Sequence, residues 1–265
     1  MLILLPPSER KADVRAGRRL DLTRLSLPEL NPARERVLDA LVAVATTPDT
    51  DVVREVVLTS AQREDIARNA RLRQAATAPA AALYTGVLYE ALDLATLPAP
   101  ALRAARRQVL VASGLWGAVR LTDRIPPYRC PMPLTLPGPG ALGAYWKRAL
   151  APVMESTAAD GPILDLRSAA YAATWTPRGD LARRTVTVRV LHEREVDGVV
   201  TRSVVSHFNK ATKGRMVRDL LAAGIRPRGT DELLTALRDL KYTVLEEEPG
   251  APGRPRRVDV VVTRL

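Results

Sequence analysis

Leu2-Ile3-Leu4-Leu5-Pro6-Pro7-Ser8 is the stretch on which the fold turns. Four consecutive apolar residues read as a short buried strand. Two prolines end it abruptly, because proline has no amide donor and pushes the residue before it into an extended conformation. Ser8-Glu9-Arg10-Lys11 follows as a polar loop. The same succession recurs twice: Val109-Leu110-Val111 leads into Ser113-Gly114, and Pro162-Ile163-Leu164-Asp165-Leu166 leads into polar residues. Both suit central strands that stop in loops.

Between and after these strands the apolar spacing becomes helical. Asn31-Pro32 supplies helix-start chemistry, and Val37, Leu38, Leu41, Val42 and Val44 predict a helix over about 32–45. Further helices are predicted over about 61–76, within 83–94 after a turn at Gly86, over 145–154, and over 209–223, the last ended by Gly224. Another is capped by Thr230 or Asp231 and runs through Leu240. Residues 185–190 and 199–205 flank Asp197-Gly198, which accepts the positive φ values of a tight hairpin turn. Two strands at 242–246 and 258–263 close the chain around a Pro/Gly/Arg turn. The expected fold class is α/β of mixed α+β kind: a single compact domain over residues 1–265 with a mixed central sheet, flanking helices and a C-terminal antiparallel hairpin.

The chain has 265 residues, 46% of them hydrophobic, which is enough to bury a full core. No run approaches the roughly 18 apolar residues of a membrane span. The first strand begins at once, with no basic leader or small-residue cleavage site, so a soluble cytoplasmic protein is expected. Cys130 is the one cysteine and excludes an internal disulfide. With His192 and His207 the only histidines, a soft-ligand zinc site cannot be assembled, and neither metal nor other cofactor is expected. A lone thiol senses peroxide only when exposed and acidified, and free cysteine is usually buried, so Cys130 is expected to be inert. The net charge of +11 attracts polyanions, nucleic acid foremost. Yet only five of the 40 basic residues are lysine, in an alanine-rich chain, so the charge also reads as arginine spread over ordinary solvated faces.

Five clusters pair unusual backbone with polar side chains: residues 6–11, 84–89, 113–132, 164–171 and 208–215. Three follow predicted strands, where ligands of α/β proteins collect. Read together, they resemble the YaaA-type peroxide-stress family over nearly the whole chain. Ser8, Glu9 and Lys11 carry that family's opening PPSE-x-K block. Ser113-Gly114-Leu115-Trp116-Gly117 with Asp123 and Pro127-Tyr128-Arg129 is similar to its SGLYG…D…PYR block. Residues 163–171 resemble INLAS-x-EY, and Lys210 to Arg215 resemble KKARG. The departures are Trp116 for tyrosine, Pro131 for an acidic residue, Asp165 for asparagine, Arg167 for alanine and Ala170 for glutamate. If that glutamate works as an acid or base in relatives, this chain lacks it unless Asp165 or Glu9 substitutes.

The resemblance implies a compact mixed α/β protein that limits iron-linked damage under peroxide stress, with a basic cleft and DNA affinity. It also implies a helix-hairpin-helix element. Leu136-Pro137-Gly138-Pro139-Gly140 only superficially fits that element and reads as a turn, since Pro139 removes an amide the hairpin would use.

Two mechanisms follow. In the first, Lys210, Lys213 and Arg215, with Lys11 and Arg129, neutralise DNA phosphates along the cleft. In the second, the same cations hold a small phosphorylated, nucleotide-like or carboxylate substrate, with Ser8, Tyr128, Ser168 or Tyr171 near the reacting centre. Lys210 or Lys213, if desolvated, then serves as base or nucleophile, oriented by Asp123. No nucleophile elbow, P-loop or Rossmann glycine fingerprint is present to name a reaction. Geometry discriminates: an enclosed pocket favours the enzyme, an open cationic groove favours DNA.

Overall fold

The computed structural model describes residues 1–47, 64, 67–158, 160–196, 199–247 and 253–263. Its main sheet holds eight strands: β1 (Leu2–Leu5), β2 (Val109–Ser113), β3 (Gly117–Arg120), β4 (Ile163–Asp165), β5 (Thr185–Val196), β6 (Val199–Ser203), β7 (Thr243–Glu246) and β8 (Arg256–Val262). All four residues of β1 are buried, as their unbroken apolar run requires of a strand covered on both faces. The sheet order is β7-β8-β5-β4-β1-β2-β3, with β6 folded back along the last five residues of β5. β1, β2, β4, β5 and β8 run parallel, while β3, β6 and β7 are antiparallel additions.

Taken in chain order, the five parallel strands lie 2-1-3-4-5 across the sheet. The succession therefore reverses beside β1, between β1 and β4. Connections leave such a point in opposite directions and open a crevice at the carboxyl ends of the strands.

Among the described residues, seven helices flank the sheet, α1 (Asn31–Thr46), α2 (Val87–Leu92), α3 (Ala99–Gln108), α4 (Leu142–Thr157), α5 (Ala169–Ala172), α6 (Ser206–Ala222) and α7 (Thr230–Asp239), and of these α2, α5 and α6 border the crevice. Single helical turns also occur at Ala80–Leu83 and Gly179–Arg183. A continuous buried core joins both faces of the sheet, with Trp116 and Trp146 fully enclosed.

The mixed sheet, the flanking helices and the closing antiparallel pair β7–β8 match the fold expected from sequence. So does the pairing of β5 with β6, although its Asp197-Gly198 turn lies outside the described residues. Several boundaries differ. Of the helix expected at 61–76, residues 61–63, 65 and 66 lie outside the described residues; helix ends at Asn69, and the chain from Ala70 to Ala75 runs in turns instead. By contrast, the helix expected within 83–94 after a turn at Gly86 is α2, which begins at Val87 directly after Gly86, whose φ of 94° makes the turn. α3 was not visible in the sequence because Pro98 and Pro100 suggest irregular chain, yet proline is well accommodated in a first helical turn. α7 is entered from Gly229 without a side-chain cap; Thr230 is its first residue, and Asp231 and Glu232 favour the helix by facing its positive end. The Leu136–Gly140 segment is a turn, linking the two-residue strands Thr135–Leu136 and Gly140–Ala141.

Candidate functional site

A cavity of about 750 Å³ occupies the crevice between β1 and β4. The loop after β1 contributes Pro6 to Arg10, and the loop after β4 contributes Leu166, Arg167 and Ser168. Gly86 to Tyr89, Tyr171, Val188, Arg189, Asn209, Lys210 and Lys213 complete the wall. The Pro6-Pro7 exit is held by Tyr89, whose hydroxyl donates to the Pro6 carbonyl at 2.7 Å. α6 reaches the strand ends by packing closely on α2: a Cβ built on Gly214 would stand 2.1 Å from the Leu88 carbonyl oxygen. A glycine inside a helix, normally unfavourable, is required here by that approach.

Asn209, Lys210 and Lys213 share one face of α6 by their i, i+3 and i, i+4 spacing. Lys213 is 8% exposed and donates to the Leu166 carbonyl at 3.2 Å. Burial lowers its pKa to about 8, with the charge of Asp165 opposing the shift. Asp165 is committed elsewhere, since Arg167 donates to both its oxygens at 2.9 and 2.7 Å. The same guanidinium donates to the Tyr171 and Trp175 carbonyls and lies over the Trp175 ring. Lys210 is exposed and, among the described residues, has no ion-pair partner. Asn209 Oδ1 is buried and, among the described residues, has no hydrogen-bond partner. Tyr171 is buried, and burial holds its phenol well above the usual range.

Five expected residues therefore meet in one pocket: Ser8, Ser168, Tyr171, Lys210 and Lys213. Lys11 and Tyr128 line a smaller adjoining cavity of about 120 Å³, which shares Glu9 and Arg10 with the first. Lys11 Nζ lies 3.0 Å from the Ser8 carbonyl oxygen and 4.2 Å from the centre of the Tyr128 ring. The Tyr128 hydroxyl is fixed by Ser113 Oγ at 2.6 Å and the Tyr84 hydroxyl at 2.8 Å, and burial raises its pKa. Arg129 pairs with Glu9 at 3.0 Å, and Asn69 clamps its backbone at both N–H and C=O. Arg129 thereby pins the Ser8–Lys11 loop.

Two expectations do not hold geometrically. Asp123 lines neither cavity; it accepts from the Ser26 amide and hydroxyl and from the Arg120 amide, closing the turn after β3 instead of orienting a lysine. Arg215 lies two residues past Lys213, on another side of α6, where its charge acts on Tyr242. The five cations expected to track phosphates are thus divided among different surroundings. Cys130 is buried and its thiol pKa is raised by that burial. Sequence reasoning missed Arg189 and Asn209; the helical spacing of Asn209 with Lys213 was the available signal.

Residues 1–248 match the profile of the family described as "Peroxide stress protein YaaA". This chain belongs to that family. The UPF0246 protein of Streptomyces coelicolor is 56% identical over 263 residues, covering 99% of this chain and 98% of that protein. The UPF0246 protein of Corynebacterium efficiens is 37% identical over 266 residues, covering 99% and 100%. The departures from the YaaA-type blocks can now be placed. Asp165 and Arg167 are a single ion pair, with side chains each 4% exposed. Trp116 is enclosed edge-on to Tyr128, with ring centres 6.0 Å apart. Ala170 is exposed on α5, next to Ala169 in the pocket wall, so the pocket has no carboxylate at that position.

Proposed function

We propose that this YaaA-family protein serves in peroxide stress by binding a small anionic ligand, phosphorylated or carboxylate, between β1 and β4. Lys210 and Lys213 supply the cations, and Ser8 and Ser168 supply hydroxyl donors. The observation that carries this reading is Lys213, a buried amine whose nearest strong acceptor is a carbonyl and whose neighbouring carboxylate is occupied by Arg167. Burying a cation without a bonded counter-charge is unfavourable, and a bound anion offsets that penalty. The cavity volume of about 750 Å³ also falls within the roughly 300–1,000 Å³ of small-molecule sites.

The test is thermal denaturation of the full chain with pyrophosphate, AMP or pyruvate, beside a Lys210→Ala variant. Lys210 is exposed, so its removal leaves the core intact. At a hundredfold excess over Kd, a ligand of the native state stabilises by about 2.7 kcal/mol. We expect at least one anion to stabilise the wild type and to do so far less in Lys210→Ala. Equal shifts in both proteins, or none in either, would count against the pocket as the anion site.

A further inference from the structure

We propose that Lys213 forms an imine with its ligand, which makes the ligand class a small carbonyl compound bearing an anionic group, a 2-oxo acid or a phosphorylated aldehyde. The inference deepens the anion-pocket reading and rests on it.

Three geometric facts support it. Among the described residues, Lys213 Nζ sits in the cavity wall with one hydrogen bond, to the Leu166 carbonyl, so the amine is anchored without being held by a carboxylate. Asp165, the acid whose charge reaches it, spends both oxygens on Arg167. Lys210 stands one helical turn away as an exposed cation able to hold the ligand's anionic end. The other titratable groups in the wall are accounted for. Glu9 pairs with Arg129, Arg189 pairs with Asp259, and the Tyr89 hydroxyl donates to Pro6. Arg10 is exposed toward Glu90, and Tyr171 keeps its phenolic proton because burial disfavours the phenolate.

Burial sets Lys213 near pKa 8, so around pH 8 about half of it is the neutral amine, against roughly one in 250 of an ordinary lysine. In the step itself, the amine lone pair attacks the carbonyl carbon, a C–N bond forms and the oxygen takes a proton to give a carbinolamine. Protonation of that hydroxyl releases water as the nitrogen forms C=N and loses its remaining proton. One water is released, and nothing is oxidised or reduced.

The chain carries only five lysines, so the adduct can be mapped without ambiguity. The full-length protein is incubated with sodium cyanoborohydride and either pyruvate or glyceraldehyde 3-phosphate between pH 7 and 9, followed by intact mass and peptide mapping. We expect an adduct at Lys213 on the order of tenfold above those at the exposed Lys147 and Lys241 at pH 7.5. Its rate should level off above pH 8, where unperturbed lysines are still gaining reactivity. Labelling in the pyruvate arm alone identifies a carboxylate anchor, and in the aldehyde arm alone a phosphate anchor; either supports the proposal. Labelling of Lys213 no greater than that of Lys147 and Lys241 in both arms overturns it. Pyrophosphate calorimetry on the same protein separates the failures: retained anion binding sinks the imine alone, whereas lost binding sinks the anion pocket as well. Mapping on the wild type keeps the test independent of how well a Lys213 variant folds.

Discussion

Asp165 and Arg167 stand where the family's common block has asparagine and alanine, and the structure joins them in one bidentate ion pair beneath the pocket. The sequence exposed both departures but not their partnership, because residues two apart at a strand exit meet only if the loop folds back. Removing one partner of a buried pair leaves a charge without compensation, a loss of about 3–5 kcal/mol. Arg167→Ala is therefore expected to lower stability by that order in urea denaturation. The double variant Asp165→Asn/Arg167→Ala should recover most of the loss, and additive losses would show that the residues act independently. Other residue-scale expectations met local geometry that spacing does not encode. Tyr128 is occupied by Ser113 and Tyr84, and Asp123 by the Ser26 and Arg120 groups. For Cys130, the usual burial of free cysteine was the right guide.

Elements were legible where apolar periodicity was long and unbroken. α1, α4, α6 and α7 follow the 3.6-residue repeat, and the buried strands follow runs stopped by proline, glycine or polar residues. The turn at Gly86 and the helix after it were legible too; α3 was missed because proline sits in its first turn. The packing of α6 on α2 gives a test at this scale. Gly214→Ala places a methyl against the Leu88 carbonyl and the Ala91 side chain. Overpacking of this kind costs about 1–3 kcal/mol, and the shift of α6 should also weaken anion binding at Lys213. Gly143→Ala, in α4 with no described atom beyond its own stretch of helix within 4 Å of the added carbon, should instead raise Tm slightly through helix propensity, worth at most about 1 kcal/mol. Comparable Tm losses in both variants would mean that helix–helix contact does not explain Gly214.

For the whole molecule, the net charge of +11 still predicts attraction to DNA, but the expected contacts are dispersed. Lys213 is buried, Arg129 is paired with Glu9, and Arg215 lies toward Tyr242. Fluorescence anisotropy of labelled duplex over a salt series should show weak, salt-suppressed association whose slope is unchanged in Lys210→Ala/Lys213→Ala. Each phosphate contact contributes about 0.9 to that slope, so a fall of about two units in the double variant would instead establish a phosphate-tracking groove through these lysines. The sequence by itself determined the buried strands, most helices, and the polar content of the loops that end β1 and β4, because these depend on neighbours along the chain. Only the tertiary structure decided which loops meet. Ile3 pairs with Val109 on one side and Leu164 on the other, and those distant partners set the strand order, the crevice, and the burial that leaves Lys213 without a bonded carboxylate. Strand order and desolvation arise from contacts far apart in sequence, which local patterning does not carry.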